Sequence, residues 1–523
     1  MNRRSFIVRT GAAAAWTATV AWPRSSFATS SAASAELRLT ERATEARIPL
    51  TYSGLSFELA QLSDPQFFSA SHDGLVAHCR TLSPNGVLRL GGNSSEFCWF
   101  QADATTQEPR LHAPTGDLSA NWMPHRLFRI TPEAISNLAA FLKATGWRLI
   151  YGINFGNNTP ERAATEAAYV AAKAGDRLEF FQIGNEPDLY RKPNNGTRPP
   201  GWDFPDYLRE WEGYARAIVA KVPNARFGGP DVASASNWIT RFGEQMTETL
   251  PGKLAALTGH YYAMGPPNDP KMTIERLLRP NPRIAEDMKQ IQAVAEPRGL
   301  VYRMTEGNSC YGGGKPGVSD AFASALWGGS FMLELATLGC AGVNFHGGGG
   351  NLLSTSLGDH TPGMDVAKKP QIMRAGYYTP IRVEPGTPVK AMPIFYGMLM
   401  ANQLAGGVLL DAKLDANLSA SGVNATAYAA RTAKTTIKVA IFNKDATQPL
   451  DLVIQSPQRI HTATMWRLTA PSLDATEGVT LAGAEVDPQA RWSPATKERV
   501  ESSGTSARIQ APAASGALVM LET

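Results

Sequence analysis

The strongest constraint on the fold is an alternation of short apolar runs with longer helical patterns, which begins near residue 50. Eight of these runs precede residue 350, and each has the length of a buried strand. Eight strands that alternate with helices favour an α/β fold, a closed parallel (β/α)8 TIM barrel, over an open sheet. The predicted strands are Gly54–Leu59, Val87–Leu90, Arg148–Ile153, Glu179–Ile183, Arg226–Gly228, Leu257–His260, Leu300–Thr305 and Gly342–Phe345.

Beyond residue 381 the helical period gives way to alternation of apolar and polar side chains. Ala427 and Ala429 fall on one side of such a segment, whereas Thr426 and Tyr428 fall on the other. This pattern predicts a C-terminal antiparallel β-sandwich with one face of each sheet exposed. The segment before the barrel has no helix to follow, so we expect it to add a strand to the same sandwich. The predicted division is 36–49 for that strand, 50–380 for the barrel and 381–523 for the sandwich.

The N-terminal segment resembles a bacterial export signal. Arg3 and Arg4 precede Ser5 and Phe6 as in a twin-arginine pattern, and a short apolar run follows over 11–22. The run is too short to cross a bilayer about 30 Å thick. We therefore expect residues 1–35 to be a signal peptide and the protein to be periplasmic or secreted, with no membrane span. An uncleaved anchor at the lipid surface is the alternative.

Composition excludes several kinds of partner. The formal charge of +4 comes from four arginines in residues 1–35, and the remaining residues sum to zero. A chain of balanced charge gives no indication of nucleic-acid binding. The four cysteines include no Cys-x-x-Cys pair, and the eight histidines include no His-x-x-x-His pair. We therefore expect neither a metal site nor a cofactor. The sequence carries no signal for an oligomeric state.

Polar side chains follow several of the predicted barrel strands. The carboxyl ends of barrel strands face one mouth, so these side chains should converge there. Acids, amides and phenols without a set of metal ligands suit a pocket for a sugar. The residues in question are Glu58, Asn93, Asn185, Glu186, His260, Tyr261, Tyr262, Glu306 and His346.

Glu186 and Glu306 are the candidate catalytic residues. They follow the fourth and seventh predicted strands, and a carboxyl at each of two strand ends is what a retaining glycosidase needs. One carboxyl donates a proton to the leaving oxygen, and the other attacks the anomeric carbon from the opposite face. Either glutamate alone would be an ordinary residue after a strand. The Asn-Glu-Pro sequence of residues 185–187 after an apolar strand is what favours catalysis.

Several of these segments resemble glycoside hydrolase family 79, the heparanase and β-glucuronidase family of the clan A glycosidases. Asn-Glu-Pro specifies only the clan, whereas Glu306 followed five residues later by Tyr-Gly-Gly-Gly points to the family. The resemblance covers most of residues 36–523. The matching segments are Leu88–Asn93, Ile183–Pro187, His260–Tyr262, and Glu306 with Tyr311–Gly314.

The resemblance implies a role for each matching polar residue. Glu186 would be the acid/base and Glu306 the nucleophile. Asn185 would bind the 2-hydroxyl of the sugar, and Tyr261 would hold the carboxylate of Glu306 in its ionised form. Glu58 matches the position that binds a distal hydroxyl. Asn93 stands where the family has threonine, which leaves one sugar contact open.

The resemblance also implies how a glucuronate carboxylate would be bound. The backbone amides of Gly312 and Gly313, next to Tyr311, would receive it, because glycines let N–H groups approach an anion closely. A plain flexible turn is the alternative for this glycine run. A tyrosine from the loop after the eighth strand would complete the site, and Tyr377 and Tyr378 are equal candidates.

The function implied is that of a retaining exo-β-glucuronidase that removes terminal β-linked glucuronic acid from a carbohydrate substrate. Exo action is favoured because residues 36–523 carry no excess of basic residues for a sulfated chain, and because the long segment 101–129 could close one side of the site. That segment could equally be a surface excursion. The alternatives are an endo-acting, heparanase-like enzyme, another clan A glycosidase such as an arabinofuranosidase, and a barrel that binds carbohydrate without cleaving it.

Overall fold

The computed structural model describes residues 32–43, 45–111, 127–192, 195–348, 376–384, 386–415, 418 and 422–523. The strands are β1 (Ala33–Glu41), β2 (Ser53–Glu58), β3 (Val87–Gly91), β4 (Cys98–Phe100), β5 (Phe128–Ile130), β6 (Arg148–Ile153), β7 (Leu178–Ile183), β8 (Phe227–Val232), β9 (Leu254–Met264), β10 (Val301–Cys310), β11 (Cys340–Gly347), β12 (Ile381–Arg382), β13 (Lys390–Ala391), β14 (Val408–Leu414), β15 (Ala425–Ala433), β16 (Thr436–Asn443), β17 (Leu450–Gln455), β18 (Thr462–Thr469), β19 (Thr480–Leu481), β20 (Glu498–Arg499), β21 (Glu501–Ser503), β22 (Ser506–Ala511) and β23 (Ser515–Glu522). The α-helices are α1 (Asp73–Leu82), α2 (Pro132–Thr145), α3 (Pro160–Ala174), α4 (Phe204–Lys221), α5 (Ser236–Thr249), α6 (Ile274–Leu278), α7 (Arg283–Ala295), α8 (Phe322–Thr337) and α9 (Pro393–Asn402). Short 3₁₀ helices cover Leu59–Ser63, Asn93–Phe97, Gly175–Arg177, Pro187–Leu189 and Glu296–Arg298.

Eight parallel strands close into a barrel in the order β2-β3-β6-β7-β8-β9-β10-β11, which returns to β2. The α/β barrel predicted from the sequence is therefore confirmed, and each predicted strand lies in it. β9 and β10 run several residues further than predicted, so that Tyr262 and Glu306 lie inside strands rather than after them. The barrel strands are buried on both faces, which explains their nearly continuous apolar sequences.

The barrel helices begin and end where local chemistry requires. Thr131 caps α2 by accepting a hydrogen bond from the backbone N–H of Ala134, and Pro132 takes the first helical position. Gly146 ends the helix in the left-handed conformation, at φ 81°. Because the helices end at defined residues, short loops connect them to the strands, and the loops after the strands converge on the mouth of the barrel.

The second domain is a curled sheet of eleven strands rather than two separate sheets. The predicted alternation is present, and one face of the sheet encloses its own core, which includes Leu37, Val439 and Ile509. The sheet is mixed, because β1 pairs antiparallel to β14 but parallel to β17. The N-terminal strand β1, which begins at Ala33, therefore lies in the sheet of the C-terminal domain.

The outer face of this sheet packs on the barrel. Phe442 and Tyr428 belong to the same buried cluster as the barrel core, and the Ser330 hydroxyl of α8 lies 2.9 Å from that of Thr426. α9 packs on α8 and is buried along most of its length. Among the described residues it is the first helix after the eighth barrel strand, and it lies beyond residue 380. α9 is apolar on all sides, so its sequence shows no helical stripe.

Residues 1–31 lie outside the described residues, so the export signal stays a prediction. Among the helices that the structure describes, none combines the length and the apolar character needed to cross a membrane.

Candidate active site

Glu186 and Glu306 converge at the mouth of the barrel. Glu186 follows β7, Glu306 lies in β10, and their exposed fractions are 8% and 6%. One carboxylate oxygen of each residue and one ring nitrogen of His260 all lie within 4.8 Å of one another. The two candidate catalytic carboxyls therefore share one small, nearly dry space.

Arg89 contacts the carboxyl of Glu306 and is fully buried. Its Nη1 donates to Glu306 Oε2 at 2.6 Å, and its Nη2 donates to Asp231 Oδ2 at 2.6 Å and to Asn185 Oδ1 at 2.7 Å. Burial would lower the pKa of Arg89, but the charges of Asp231 and Glu306 outweigh it and raise the pKa. The guanidinium thus stays charged, and its planar fork fixes the residues around it.

His260 joins the acid side of the site to the same network. Its Nδ1 lies 2.9 Å from Glu186 Oε1, and its Nε2 lies 3.1 Å from Asp231 Oδ1. Burial would lower the pKa of His260, but the charges of Asp231 and Glu306 outweigh it and raise the pKa to about 10. His260 is therefore an imidazolium that donates from both nitrogens at neutral pH.

A metal does not fit this cluster, although Glu186, His260 and Glu306 have the spacing of ligands. A histidine binds a metal through the lone pair of a neutral imidazole. Both nitrogens of His260 face carboxylates and carry protons, so no lone pair is free for a metal ion.

The environments of the two glutamates push their pKa values apart. Burial raises the pKa of Glu186, and the hydrogen bond from His260 offsets this only in part. Burial would also raise the pKa of Glu306, but the charges of His346, His260 and Arg89 outweigh it and lower the pKa to about 2. Glu306 is therefore ionised at neutral pH, whereas Glu186 is held toward its protonated form. A pair of carboxyls with such a split can serve one as proton donor and the other as nucleophile.

Tyr262, rather than Tyr261, contacts the nucleophile candidate. The Tyr262 hydroxyl donates to Glu306 Oε1 at 2.8 Å. The Tyr261 hydroxyl instead accepts from Asn281 Nδ2 at 3.0 Å, and its ring stacks on Phe331. The prediction that Tyr261 holds the carboxylate is wrong, because adjacent residues of a strand point to opposite faces. Tyr262 shares the inner face of β9 with His260, two residues earlier.

Asn185 lies beside Glu186 and is held by its side chain and its backbone. Its side-chain Nδ2 donates to Asn93 Oδ1 at 3.3 Å. Its backbone N–H donates to Glu96 Oε1 at 2.7 Å, and the other oxygen of Glu96 accepts from the N–H of Phe155 at 2.8 Å. Glu186 itself has φ 51°, a strained value for a residue with a side chain. The fully buried Glu96 therefore stabilises the turn that presents the acid.

Glu58 and His346 form the wall next to Glu306. Glu58 Oε2 accepts from the backbone N–H of Ser94 at 2.9 Å and from its hydroxyl at 2.6 Å. His346 Nε2 lies 3.3 Å from Glu58 Oε1, and its Nδ1 lies 3.7 Å from Glu306 Oε2. The structure thus brings Glu58 into the site at the position that the sequence predicted.

The glycine run after β10 lies against the loop tyrosines. Gly312, Gly313 and Gly314 have φ of 75°, 88° and 89°, which residues with side chains rarely adopt. The carbonyl of Gly313 accepts from the N–H of Tyr378 at 3.4 Å. These left-handed values explain why three successive positions are glycine.

Tyr378 is the loop tyrosine that faces the site. It is 2% exposed, and its ring centroid lies 6.1 Å from that of Tyr262. Tyr377 is only half-buried. Tyr311 lies at the rim, 46% exposed, with its ring edge-on to that of Tyr262. The sequence left Tyr377 and Tyr378 as equal candidates, and burial favours Tyr378.

Sequence reasoning missed Arg89, Asp231 and Glu96. Arg89 carried a signal, because a lone arginine inside an apolar strand has to be paired when it is buried. Asp231 lies where the rule of polar residues after barrel strands would place it, but the fifth strand was predicted to end at Gly228. Glu96 gave no signal, since it lies in a short 3₁₀ helix without a periodic pattern.

No family model matches the chain. Three related proteins match between half and three quarters of its length. A β-glucuronidase of Aspergillus niger is 24% identical over 428 residues, 76% of this chain and 73% of the relative. A β-glucuronidase of Neurospora crassa is 28% identical over half of each chain, and a heparanase of Gallus gallus is 23% identical over 56% of this chain and 62% of its own length. The chain is a glycoside hydrolase related to family 79.

The solved structures agree with this fold. A 4-O-α-L-rhamnosyl-β-D-glucuronidase from Fusarium oxysporum superposes with a TM-score of 0.67 at 16% identity, over 92% of this chain and 99% of that structure. A family 51 arabinofuranosidase from Xanthomonas axonopodis superposes with a TM-score of 0.59 at 14% identity, over 93% of this chain and all of that structure. At identities this low, the superpositions show a shared fold alone, a barrel with a β-sheet domain.

We expect Tyr262→Phe to lower kcat/KM by about 10- to 150-fold, because a hydrogen bond to a charged group contributes about 1.5–3 kcal/mol. Loss of the donor also raises the pKa of Glu306. Activity requires Glu306 to be ionised, so the acidic limb of the pH profile moves to higher pH. The matched control is Tyr261→Phe, which should leave both the rate and the profile close to wild type. Equal losses in both variants would contradict the assignment of Tyr262.

Proposed function

We propose that this glycoside hydrolase is a retaining exo-β-glucuronidase that removes terminal β-linked glucuronic acid from glycosides or polysaccharides. The observation that carries the proposal is the pair Glu186 and Glu306, with oxygens within 4.8 Å and pKa values shifted in opposite directions. Retaining glycosidases place their carboxyls about 5–5.5 Å apart, whereas inverting ones need about 6.5–9.5 Å to admit a water. The short separation supports retention.

In the first step the ionised Glu306 attacks the anomeric carbon while Glu186 donates its proton to the leaving oxygen. Arg89 and Tyr262 each hold one oxygen of Glu306, so the carboxylate is oriented before the substrate enters. A covalent glycosyl-enzyme results, and the leaving group departs as a neutral alcohol.

The second step requires Glu186 to act as a base, and the electrostatics of the site favour this change. The negative charge of Glu306 raises the pKa of Glu186 in the free protein. That charge disappears when Glu306 forms the ester with the sugar, so the pKa of Glu186 falls. The ionised Glu186 then takes a proton from the water that attacks the anomeric carbon.

Glucuronic acid is proposed from the relatives and from the residues around the glycine run. The relatives are named β-glucuronidases and heparanase, and the Fusarium structure is that of a glucuronidase. Gly312 and Gly313 place left-handed backbone beside the buried Tyr378, which supports amides and a phenol as donors to a carboxylate. Asn185, Asn93 and Glu58 remain proposed partners for the sugar hydroxyls.

Exo action is proposed from the balanced charge of residues 36–523, because an enzyme that grips a sulfated chain on both sides of the cut needs basic residues along its cleft. The segment 101–129 could form one wall of the site, but its residues 112–126 lie outside the described residues. Endo action is the second candidate, favoured by the similarity to a heparanase. Export to the periplasm or medium is proposed from the sequence alone.

Removal of each carboxyl should give a distinct result. Glu306→Ala should abolish turnover, and azide should restore it by filling the vacated space to form an inverted glycosyl azide. Glu186→Ala should reduce turnover of substrates with poor leaving groups most, since activated aryl groups leave without a proton donor in the first step. Glu58→Ala is the matched control, a buried site carboxyl that azide should not rescue. Proton NMR that shows wild-type inversion in the first-formed product would contradict retention.

The proposed sugar can be tested with a pair of aryl substrates. We expect the aryl β-glucuronide to exceed the aryl β-glucoside in kcat/KM by about tenfold to several hundredfold. The glucoside leaves donors to the carboxylate unmatched, at about 1–3 kcal/mol for each buried group. Tyr378→Phe should narrow this ratio, whereas Tyr377→Phe should not. Equal rates on the two substrates would remove glucuronate from the proposal and leave the two glutamates in place.

Exo action predicts that free glucuronate appears early when a glucuronate-containing polysaccharide is digested, while the chain length falls slowly. The two quantities can be followed together by ion chromatography and size-exclusion chromatography. A rapid fall in chain length without release of monosaccharide would favour the endo alternative.

A further inference from the structure

A second cavity lies between the barrel and the curled sheet, on the outer side of β9. Its volume is about 260 Å³, slightly below the range of about 300–1,000 Å³ that is common for small-molecule sites. A cavity at the lower end of this range suits a small ligand, of about the size of one monosaccharide. Its polar wall comes from both domains and consists of Tyr261, Arg276, Arg279, Asn281, Ser330, Glu334 and Lys444.

Lys444 is the unusual member of this wall. The residue is 9% exposed, and its Nζ donates to Ser330 Oγ at 3.5 Å, the long limit of a hydrogen bond. Among the described residues, this ammonium group forms no ion pair within 4 Å, and Glu334 is the carboxylate whose charge acts on it. Burial lowers the pKa of Lys444 to about 8. A buried ammonium with so few partners is costly, and an anion in the cavity would stabilise it.

The charges around the cavity match a single negative charge. Arg279 is paired with Glu275 on the helix surface, so its charge is largely neutralised. Lys444 and Arg276 carry positive charge, and Glu334 carries negative charge, which leaves an excess of about one positive charge. Burial raises the pKa of Glu334, and the charge of Lys444 opposes that shift. A monocarboxylate fits this balance better than a doubly charged phosphate.

The remaining wall offers both polar and apolar contacts. Asn281 and Glu334 provide an amide and a carboxyl that can bind hydroxyl groups. Trp327, Phe331 and Tyr261 form a ladder of stacked rings, with centroids 5.1 Å and 4.9 Å apart, that lines the apolar side. A ligand with a carboxylate, hydroxyls and a C–H face would satisfy every part of the wall.

We propose that this cavity binds one acidic monosaccharide, with the sugar carboxylate on the ammonium group of Lys444 and the hydroxyls on Asn281 and Glu334. The site is separate from the active site, since Tyr261 and Tyr262 point to opposite faces of β9. The inference is independent of the proposed activity, because it rests only on the residues of the cavity.

The test is calorimetric titration of the full chain with sodium D-glucuronate, with wild type compared with Lys444→Met. The difference in stoichiometry between the two proteins gives the number of glucuronate molecules bound in the cavity. Binding at the active site contributes equally to both proteins and cancels. We expect wild type to bind one glucuronate more per chain than Lys444→Met. The matched control is Lys438→Met, which removes a half-buried lysine of β16 that donates to the carbonyl of Gln403 at 3.0 Å, outside the cavity. It should keep the wild-type stoichiometry.

A second variant keeps the test decisive if Lys444→Met does not fold. Glu334→Gln removes a negative charge beside the carboxylate of the ligand and should raise the affinity of the cavity for glucuronate about three- to tenfold. Misfolding would lower this affinity, so an increase cannot be a folding defect. Equal stoichiometry in wild type and Lys444→Met would overturn the proposal. Inorganic phosphate that binds with the same Lys444 dependence and displaces glucuronate would also overturn it, because the site would then bind anions in general.

Discussion

The buried charge of Arg89 is the constraint on which the rest of the site depends. A guanidinium taken fully out of water is tolerated only when carboxylates and amide oxygens surround it. Five side chains from four barrel strands and their loops supply these partners. They are Ser56, Gln182, Asn185, Asp231 and Glu306. The same contacts that stabilise the buried charge of Arg89 therefore hold Glu306 and the loop of Asn185 and Glu186 in position.

The charges in this network come in balancing pairs. Arg89 and His260 are cations, while Asp231 and Glu306 are anions, and all four are buried. Burial alone would lower the pKa of His260, and the neighbouring carboxylates of Asp231 and Glu306 raise it instead. Glu186 stands outside this balance, with burial as its largest influence. The opposite pKa shifts of Glu306 and Glu186 thus follow from which side chains face each carboxyl.

Much of the fold followed from local patterns in the sequence. The eight strand segments and the strand contributed from the N-terminal side were predictable, because burial on two faces and alternation leave direct traces in composition. The helix α9 was missed, since a helix buried on all sides carries no stripe. In the site, Glu186, Glu306, Asn185 and Glu58 were placed by the rule that strand ends share one mouth. The family resemblance put the contact with Glu306 on Tyr261, whereas alternation along β9 from His260 would have pointed to Tyr262.

The sequence by itself determined the class of fold, the two glutamates and the polar character of the mouth, because these depend on residue type and on local period. Only the tertiary structure decided that Arg89, Asp231 and Glu96 belong to the site, since each acts through partners that are distant along the chain. It also decided that Tyr378 faces the site and that Lys444 lines a second cavity between the domains. Burial and the balance of charge are properties of the assembled neighbourhood, and no single segment of the chain contains that neighbourhood.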